Sequence, residues 1–191
     1  MIDHLLHIDR EIFIAINNGL SNSFFDWLLP YMREALTWIP LYLAFVFFAI
    51  RKYKLQGLYI IIATLLIVVL TDRFSAGFMK PFFERLRPCH EPNLADHIRG
   101  IIDCGGQYGF ISSHATNHFG LAVMLTWFFK KISQISCINW VFYVWASLIS
   151  FAQIYVGKHY FGDVLIGALC GVLIGTFVLR LFLRLVKISG D

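Results

Sequence analysis

Charge is scarce in this chain. Only 15% of its 191 residues are Asp, Glu, Lys or Arg, against 58% hydrophobic. A water-soluble domain is closer to 45–50% apolar, so the excess must face something other than water. No arginine-rich or interleaved basic–aromatic stretch is present, which excludes a nucleic-acid track. Cysteine and histidine ligands at zinc spacing are absent, and so is a glycine-rich nucleotide loop with its lysine. The start, Met1-Ile2-Asp3-His4, has no basic region, and Asp9, Arg10 and Glu11 break the apolar character of the next dozen residues, so no cleavable signal peptide is expected. No cofactor, metal or obligate protein partner is implied.

What the chain has is long apolar runs, over about 35–50, 57–79, 115–130, 137–157 and 162–183. About 20 apolar residues span a bilayer. The expectation is a single all-α domain over 1–191, with about five transmembrane helices in a core at 35–187. Amphipathic helices at 1–32 precede that core. In the first of these, Leu5, Ile8, Ile12 and Ile16 form one stripe, and Asn17-Asn18-Gly19 ends it. It is too polar to span, so it lies in the interface or packs on the bundle. A second amphipathic piece covers about Ser23 to Met32.

Cations mark one side of the membrane. Arg51, Lys52 and Lys54 follow the first run, Lys130 and Lys131 the third, and Arg180, Arg184 and Lys187 close the fifth. Five spans put all three clusters on the same side, which the positive-inside rule makes cytoplasmic. The loops at 80–114 and 158–162 then face the other way. Gly167, Gly171 and Gly175, four apart, read as a close helix-packing stripe.

Those outward loops hold the chemistry. Lys80-Pro-Phe-Phe-Glu-Arg-Leu-Arg87-Pro88 ends the second run. Gly105 to His114 leads glycines into Ser112, Ser113 and His114, which open a new helix, and a helix N-terminus is an anion site. Each also has a bland reading, as snorkelling cations and as an ordinary serine cap. His159 and Asp163 are four apart, so one helical turn stacks them and the carboxylate can orient the ring. Two histidines, an orienting carboxylate, a helix N-terminus and several cations on one side suit phosphoryl transfer, where the protein positions and neutralises charge.

These clusters resemble the three motifs of the type-2 phosphatidic acid phosphatases, which share a fold with vanadium haloperoxidases. The family's K-x6-R-P is matched by Lys80, Arg87 and Pro88. Of its P-S-G-H, Ser112 and His114 match, while Ile111 and Ser113 replace Pro and Gly. Of its S-R-x5-H-x3-D, His159 and Asp163 match, while Ala152 and Gln153 replace Ser and Arg. The resemblance implies that His159 is the nucleophile, Asp163 its orienter and His114 the acid and then the base. Lys80, Arg87, Ser112 and the backbone at Ser113 would hold phosphate, with no metal. It also implies a phosphorylated membrane lipid as substrate, in a bacterial inner membrane, with the site facing the periplasm or exterior.

Two other classes stand beside it. A lipid-binding or transport relative without activity would explain the lost arginine. A soluble acid phosphatase or haloperoxidase is opposed by five apolar runs. Three local expectations complete the reading. Gln153 lines the phosphate pocket, with Lys158 or Arg85 partly replacing the arginine's charge. Cys89 and Cys104 form a disulfide in the non-cytoplasmic loop, while Cys137 and Cys170 are buried thiols. Asp72 is buried in the bundle, supporting the site through Lys80 or Arg73.

Overall fold

The computed structural model describes residues 2–133 and 137–188; Met1, residues 134–136 and residues 189–191 lie outside the described residues. The described chain is helical, and its elements are α1 (Ile2–Ile14), α2 (Ser23–Met32), α3 (Ile39–Tyr53), α4 (Leu55–Asp72), α5 (Lys80–Phe83), α6 (Ser113–Ile132), α7 (Ile138–Tyr155) and α8 (Phe161–Leu185). A 3-10 turn over Ala35–Trp38 leads into α3, and a wider π turn over Arg73–Met79 joins α4 to α5.

Among the described residues, four stretches are long and apolar enough to cross a membrane: Ala35–Tyr53, Leu55–Phe83, Ile138–Tyr155 and Phe161–Leu185. They coincide with four of the five runs. The remaining run, α6, carries His114, Asn117, His118, Lys130 and Lys131. Its 20 residues cover about 30 Å. Residues 120 to 125 are buried on every side, because α4, α7 and α8 surround it. A helix with protein on all sides has no need of an apolar lipid face. The outer helices do: Leu43, Leu65, Leu173 and Phe177 are all exposed. This is an integral membrane protein.

Backbone contact sets the α6–α8 spacing. A Cβ on Gly171 would lie 2.3 Å from the Thr116 carbonyl oxygen, and one on Gly175 2.8 Å from that of Gly120. The glycine stripe is therefore a packing seam, as expected.

Both amphipathic helices pack on the bundle. Phe13 is fully buried and stacks edge-on with Tyr160, while Leu29 packs with Ala152, Tyr155 and Val156. Their outer face stays exposed through Phe24, Trp27 and Tyr31. A π turn over Ala15–Gly19 ends the first helix and turns Asn17 inward. Its Nδ2 donates to the Tyr155 carbonyl (2.7 Å) and its Oδ1 accepts from the Arg99 N–H (2.9 Å), so it closes the end of α7.

Two expectations fail here. Asp72 is exposed, not buried, although its charge does bear on Lys80, the partner expected for it. The buried stripe of this helix runs through Ile60, Ala63, Thr64, Ile67, Thr71 and Ser75. Asp72 sits one residue, about 100°, off that stripe. Cys137 is exposed and Cys170 half-buried, so neither is a core thiol. Cys137 precedes α7 as its cap.

Candidate active site

One end of the bundle collects the lower end of α5, the loop at 84–112, the N-termini of α6 and α8, and the C-terminus of α7. The cation clusters lie at the other end, where Gln56 donates to the Lys187 carbonyl (2.8 Å). Short-range sequence rules drive each local placement. Ser112 caps α6 and accepts from the Ala115 N–H. That leaves the first-turn N–H groups of Ser113 and His114 without an intrahelical acceptor. The Ser113 hydroxyl is buried and unpartnered. Asp163 closes a capping box at the start of α8, its Oδ2 accepting from the Tyr160 N–H at 3.0 Å. Gly157, with φ of +88°, lets the chain reverse between α7 and His159.

The two catalytic-type groups of the third motif are deeply buried. His159 Nδ1 lies 3.6 Å from Asp163 Oδ2, just beyond hydrogen-bond length. Burial pushes the His159 imidazole down to about 4, with Asp163 opposing and the charges of Lys80 and Arg87 adding to it. The ring is therefore neutral at neutral pH. His114, half-buried, stacks on His118 with ring centres 6.1 Å apart, and His118 Nδ1 meets the His114 carbonyl at 2.8 Å. Ser112 N–H donates to the Asp163 carbonyl at 3.0 Å, locking α6 to α8 beside the site.

The first and second motifs are laced together. Arg87 N–H donates to the Gln107 carbonyl and Gly109 N–H to that of Arg85. Cys89 and Cys104 are bonded, with Cα atoms 6.1 Å apart. Arg87 Nη1 and Nε donate to the carbonyls of Cys104 (2.7 Å) and Tyr108 (3.2 Å), which fixes the guanidinium. At Gly109 a Cβ would stand 3.2 Å from both the Arg87 stem and the Asp163 carboxylate, so only glycine lets these approach so closely. Arg87 Nη1 and Lys158 Nζ both lie 3.7 Å from where a Gly105 Cβ would be, which brings the Lys158 charge beside Arg87. Burial, then the charges of Arg33 and Arg87, hold the Lys158 ammonium below its ordinary range.

Lys80, Arg87, Ser112, Ser113, His114, Gln153, Lys158, His159 and Asp163 thus share one end of the bundle, and Asp72 stands apart from the buried cluster. Arg85 takes a different part from the one expected. Its Nη1 pairs with Asp163 Oδ1 (2.6 Å), its Nη2 with Asp9 Oδ2 (2.7 Å), and its guanidinium stacks 4.1 Å over the Tyr160 ring. It holds the carboxylate behind His159 and leaves no free fork for phosphate. Gln153 is fully buried, and neither its amide nitrogen nor its oxygen has a partner. Its backbone carbonyl accepts from the N–H groups of Lys158 and His159, which seats the His159 loop on α7. Among the described residues, no group of three or more His, Cys, Asp or Glu side chains is placed to hold a metal ion.

Sequence reasoning missed Asp9 and Arg33. Asp9 Oδ1 also accepts from the Gly162 N–H at 2.8 Å, so α1 caps α8 and anchors Arg85 together. Arg33 follows α2, and its charge reaches both Lys158 and Arg87. Asp9 lies in an amphipathic helix and Arg33 just after one, both more than 45 residues from any motif. Neither has a local spacing that marks it.

Beneath His118, a cleft of about 390 Å³ opens between α3, α4 and α6, lined by Tyr42, Phe45, Leu65, Val68, Asn117 and His118 among others.

Residues 55–187 match the family model of the PAP2 superfamily. A protein named lipid A 4'-phosphatase from Porphyromonas gingivalis is 32% identical over 184 residues, 95% of this chain and 76% of that one. A protein of the same name from Bacteroides thetaiotaomicron is 30% identical over 177 residues, 90% of this chain and 75% of that one. Two solved structures share the fold. Aquifex aeolicus LpxE aligns with a TM-score of 0.65 at 22% identity, covering 91% of this chain and 95% of its own. A PAP2-type phosphatidylglycerolphosphate phosphatase from Bacillus subtilis aligns with a TM-score of 0.71 at 18% identity, covering 96% and 89%.

Proposed function

The chain belongs to the PAP2 superfamily and is a membrane phosphatase, and on that premise we propose that it hydrolyses a lipid phosphate monoester through a phosphohistidine on His159. The observation that carries the proposal is the stacked order Arg85–Asp163–His159 beside a helix N-terminus and fixed cations. His159 Nε2 attacks phosphorus while Nδ1–H turns toward Asp163. The P–O bond to the lipid breaks, and His114, which takes up a proton as the phosphate anion offsets the surrounding cations, gives that proton to the leaving oxygen. Water then attacks the phosphohistidine, with His114 taking the water's proton, and inorganic phosphate leaves. Lys80, Arg87, Lys158 and the N–H groups at Ser113 and His114 face the charge that spreads over the phosphoryl oxygens.

The substrate is a lipid A-type 4'-phosphate, by similarity to two proteins of that name that align along nearly the whole chain. An acyl chain occupies the apolar cleft below His118, which continues from the site through the His114–His118 stack. The site faces the periplasm across a bacterial inner membrane, because the cation-rich end is the cytoplasmic one.

Phosphate release by the purified chain tests this on lipid A, phosphatidylglycerol phosphate, phosphatidic acid and undecaprenyl pyrophosphate. Lipid A should turn over fastest, and His159→Ala should release none. Near-parental release by His159→Ala would sink the mechanism. No release by the parent on any lipid would favour a binding relative, the reading that Gln153 in place of arginine supports.

A further inference from the structure

The third motif carries glutamine where a guanidinium is expected, and neither Arg85 nor Lys158 restores one. Arg85 is engaged by Asp9 and Asp163, and Lys158 is a point charge without a planar fork. A third arginine enters from another direction. Arg33 ends α2, and the turn after it is tied down. Thr37 donates to the Tyr31 carbonyl (2.7 Å), the Trp38 indole to that of Met32 (2.8 Å), and Arg33 N–H to that of Leu29 (3.3 Å). The Arg33 side chain is only 12% exposed, although it follows an amphipathic helix.

We propose that Arg33 is a phosphate-binding residue of this active site and supplies the guanidinium that Gln153 does not. This rests on the phosphatase reading. The arginines that serve structure here are satisfied: Arg99 meets Asp26 (2.6 Å) and the Asn17 carbonyl (3.2 Å), and Arg85 meets two carboxylates. Arg33 is different. Among the described residues its Nη1 meets only its chain neighbour Glu34 (2.7 Å), itself more than half exposed, and its Nε is buried without a partner. Buried polar groups are nearly always hydrogen-bonded, so an orphaned guanidinium nitrogen marks a place for an acceptor. The surroundings say which acceptor. Arg33's charge bears on Arg87, Lys158 and His114. These come from three further segments: the loop after α5, the loop after α7 and the first turn of α6. Cations converging from separate segments repel one another until an anion sits among them, and a phosphate dianion relieves all of them together. Arg87 is pinned by two carbonyls and cannot move to cover a gap. Arg33 is anchored at its backbone with one fork edge free, which suits it to close over phosphate.

The experiment uses the full chain in detergent, with lipid A as substrate and inorganic phosphate as competing ligand. Arg33→Ala should lower kcat/KM by about 30-fold or more and weaken inhibition by phosphate about tenfold. Millimolar methylguanidine should restore a measurable part of that activity, and Arg33→Lys should fall between the two. Rescue separates ligand binding from support of the fold, because a small guanidinium cannot rebuild α2. Arg33→Gln, which keeps the stem and loses the charge, serves if the alanine variant does not fold. Activity of the alanine or glutamine variant within about threefold of the parent overturns the proposal. So does a loss that methylguanidine leaves unchanged and that tracks a lower melting temperature. A parent inactive on every lipid overturns the phosphatase reading instead, which the parent alone decides.

Discussion

Gly171→Ala tests whether the helix seam sets the catalytic geometry. The new Cβ would stand 2.3 Å from the Thr116 carbonyl oxygen and 3.1 Å from the Gly120 nitrogen, against 3.4 Å or more for ordinary contact. The shortfall is about 1 Å, and the obstructing atoms are main chain, which cannot rotate away. Overpacking costs about 1–3 kcal/mol, and a rigid neighbour places this case near 3. For a chain of this length that lowers Tm by about 6–12 °C. The same wedge pushes α6 from α8. His114 and Ser112 ride on the first, Asp163 on the second, and the Ser112 N–H to Asp163 carbonyl bond bridges them. A displacement of about 1 Å among reacting groups costs roughly 100-fold in rate. Gly57→Ala is the control. Its Cβ would meet the Ala49 carbonyl oxygen at 2.2 Å, an equally hard clash, but at the opposite end of the bundle. Thermal unfolding in detergent and phosphate release on both variants should show similar Tm losses. Only Gly171→Ala should show the large fall in kcat/KM. Parental kcat/KM in folded Gly171→Ala would refute the claim that this seam holds the site in register.

The acid limb of the pH profile is set by His159. With its pKa near 4, kcat/KM should lose its nucleophile only below about pH 4, once the substrate's own second ionisation near 6 is allowed for. An acid limb near the ordinary histidine value of about 6.5 would contradict the buried, neutral ring. Stability should move the same way, weakening as pH falls from about 6.5 toward 4, because the unfolded imidazole takes its proton first. The Cys89–Cys104 bond closes a 15-residue separation, worth about 3 kcal/mol in the chain-entropy model. Reductant should lower Tm and loosen Arg87, whose guanidinium hangs on the Cys104 carbonyl; unchanged Tm and activity after full alkylation of both thiols would remove that role.

Membrane embedding, the helix positions and the motif residues were legible in the chain itself, because each depends on a local or periodic signal. Twenty apolar residues report a span without reference to any neighbour, and the ends of the continuous spans lie within about four residues of the runs. Ser112 capping α6 and Asp163 stacked under His159 follow from spacings of one helical turn. The cysteine pair was readable from its shared loop. What no local signal could give is which side chains meet across the bundle. Asp72 looked like a buried support because carboxylates in spans usually are, but one residue of helical phase put it outside the stripe led by Thr71 and Ser75. Arg85 looked like a phosphate ligand and became the brace of Asp163, because α1 delivered Asp9 from 76 positions away. Arg33 reached the cation cluster only because α2 packs along α7. Contacts of that range depend on how helices cross and on backbone approach at Gly167, Gly171 and Gly175, distances that packing decides and periodicity does not record.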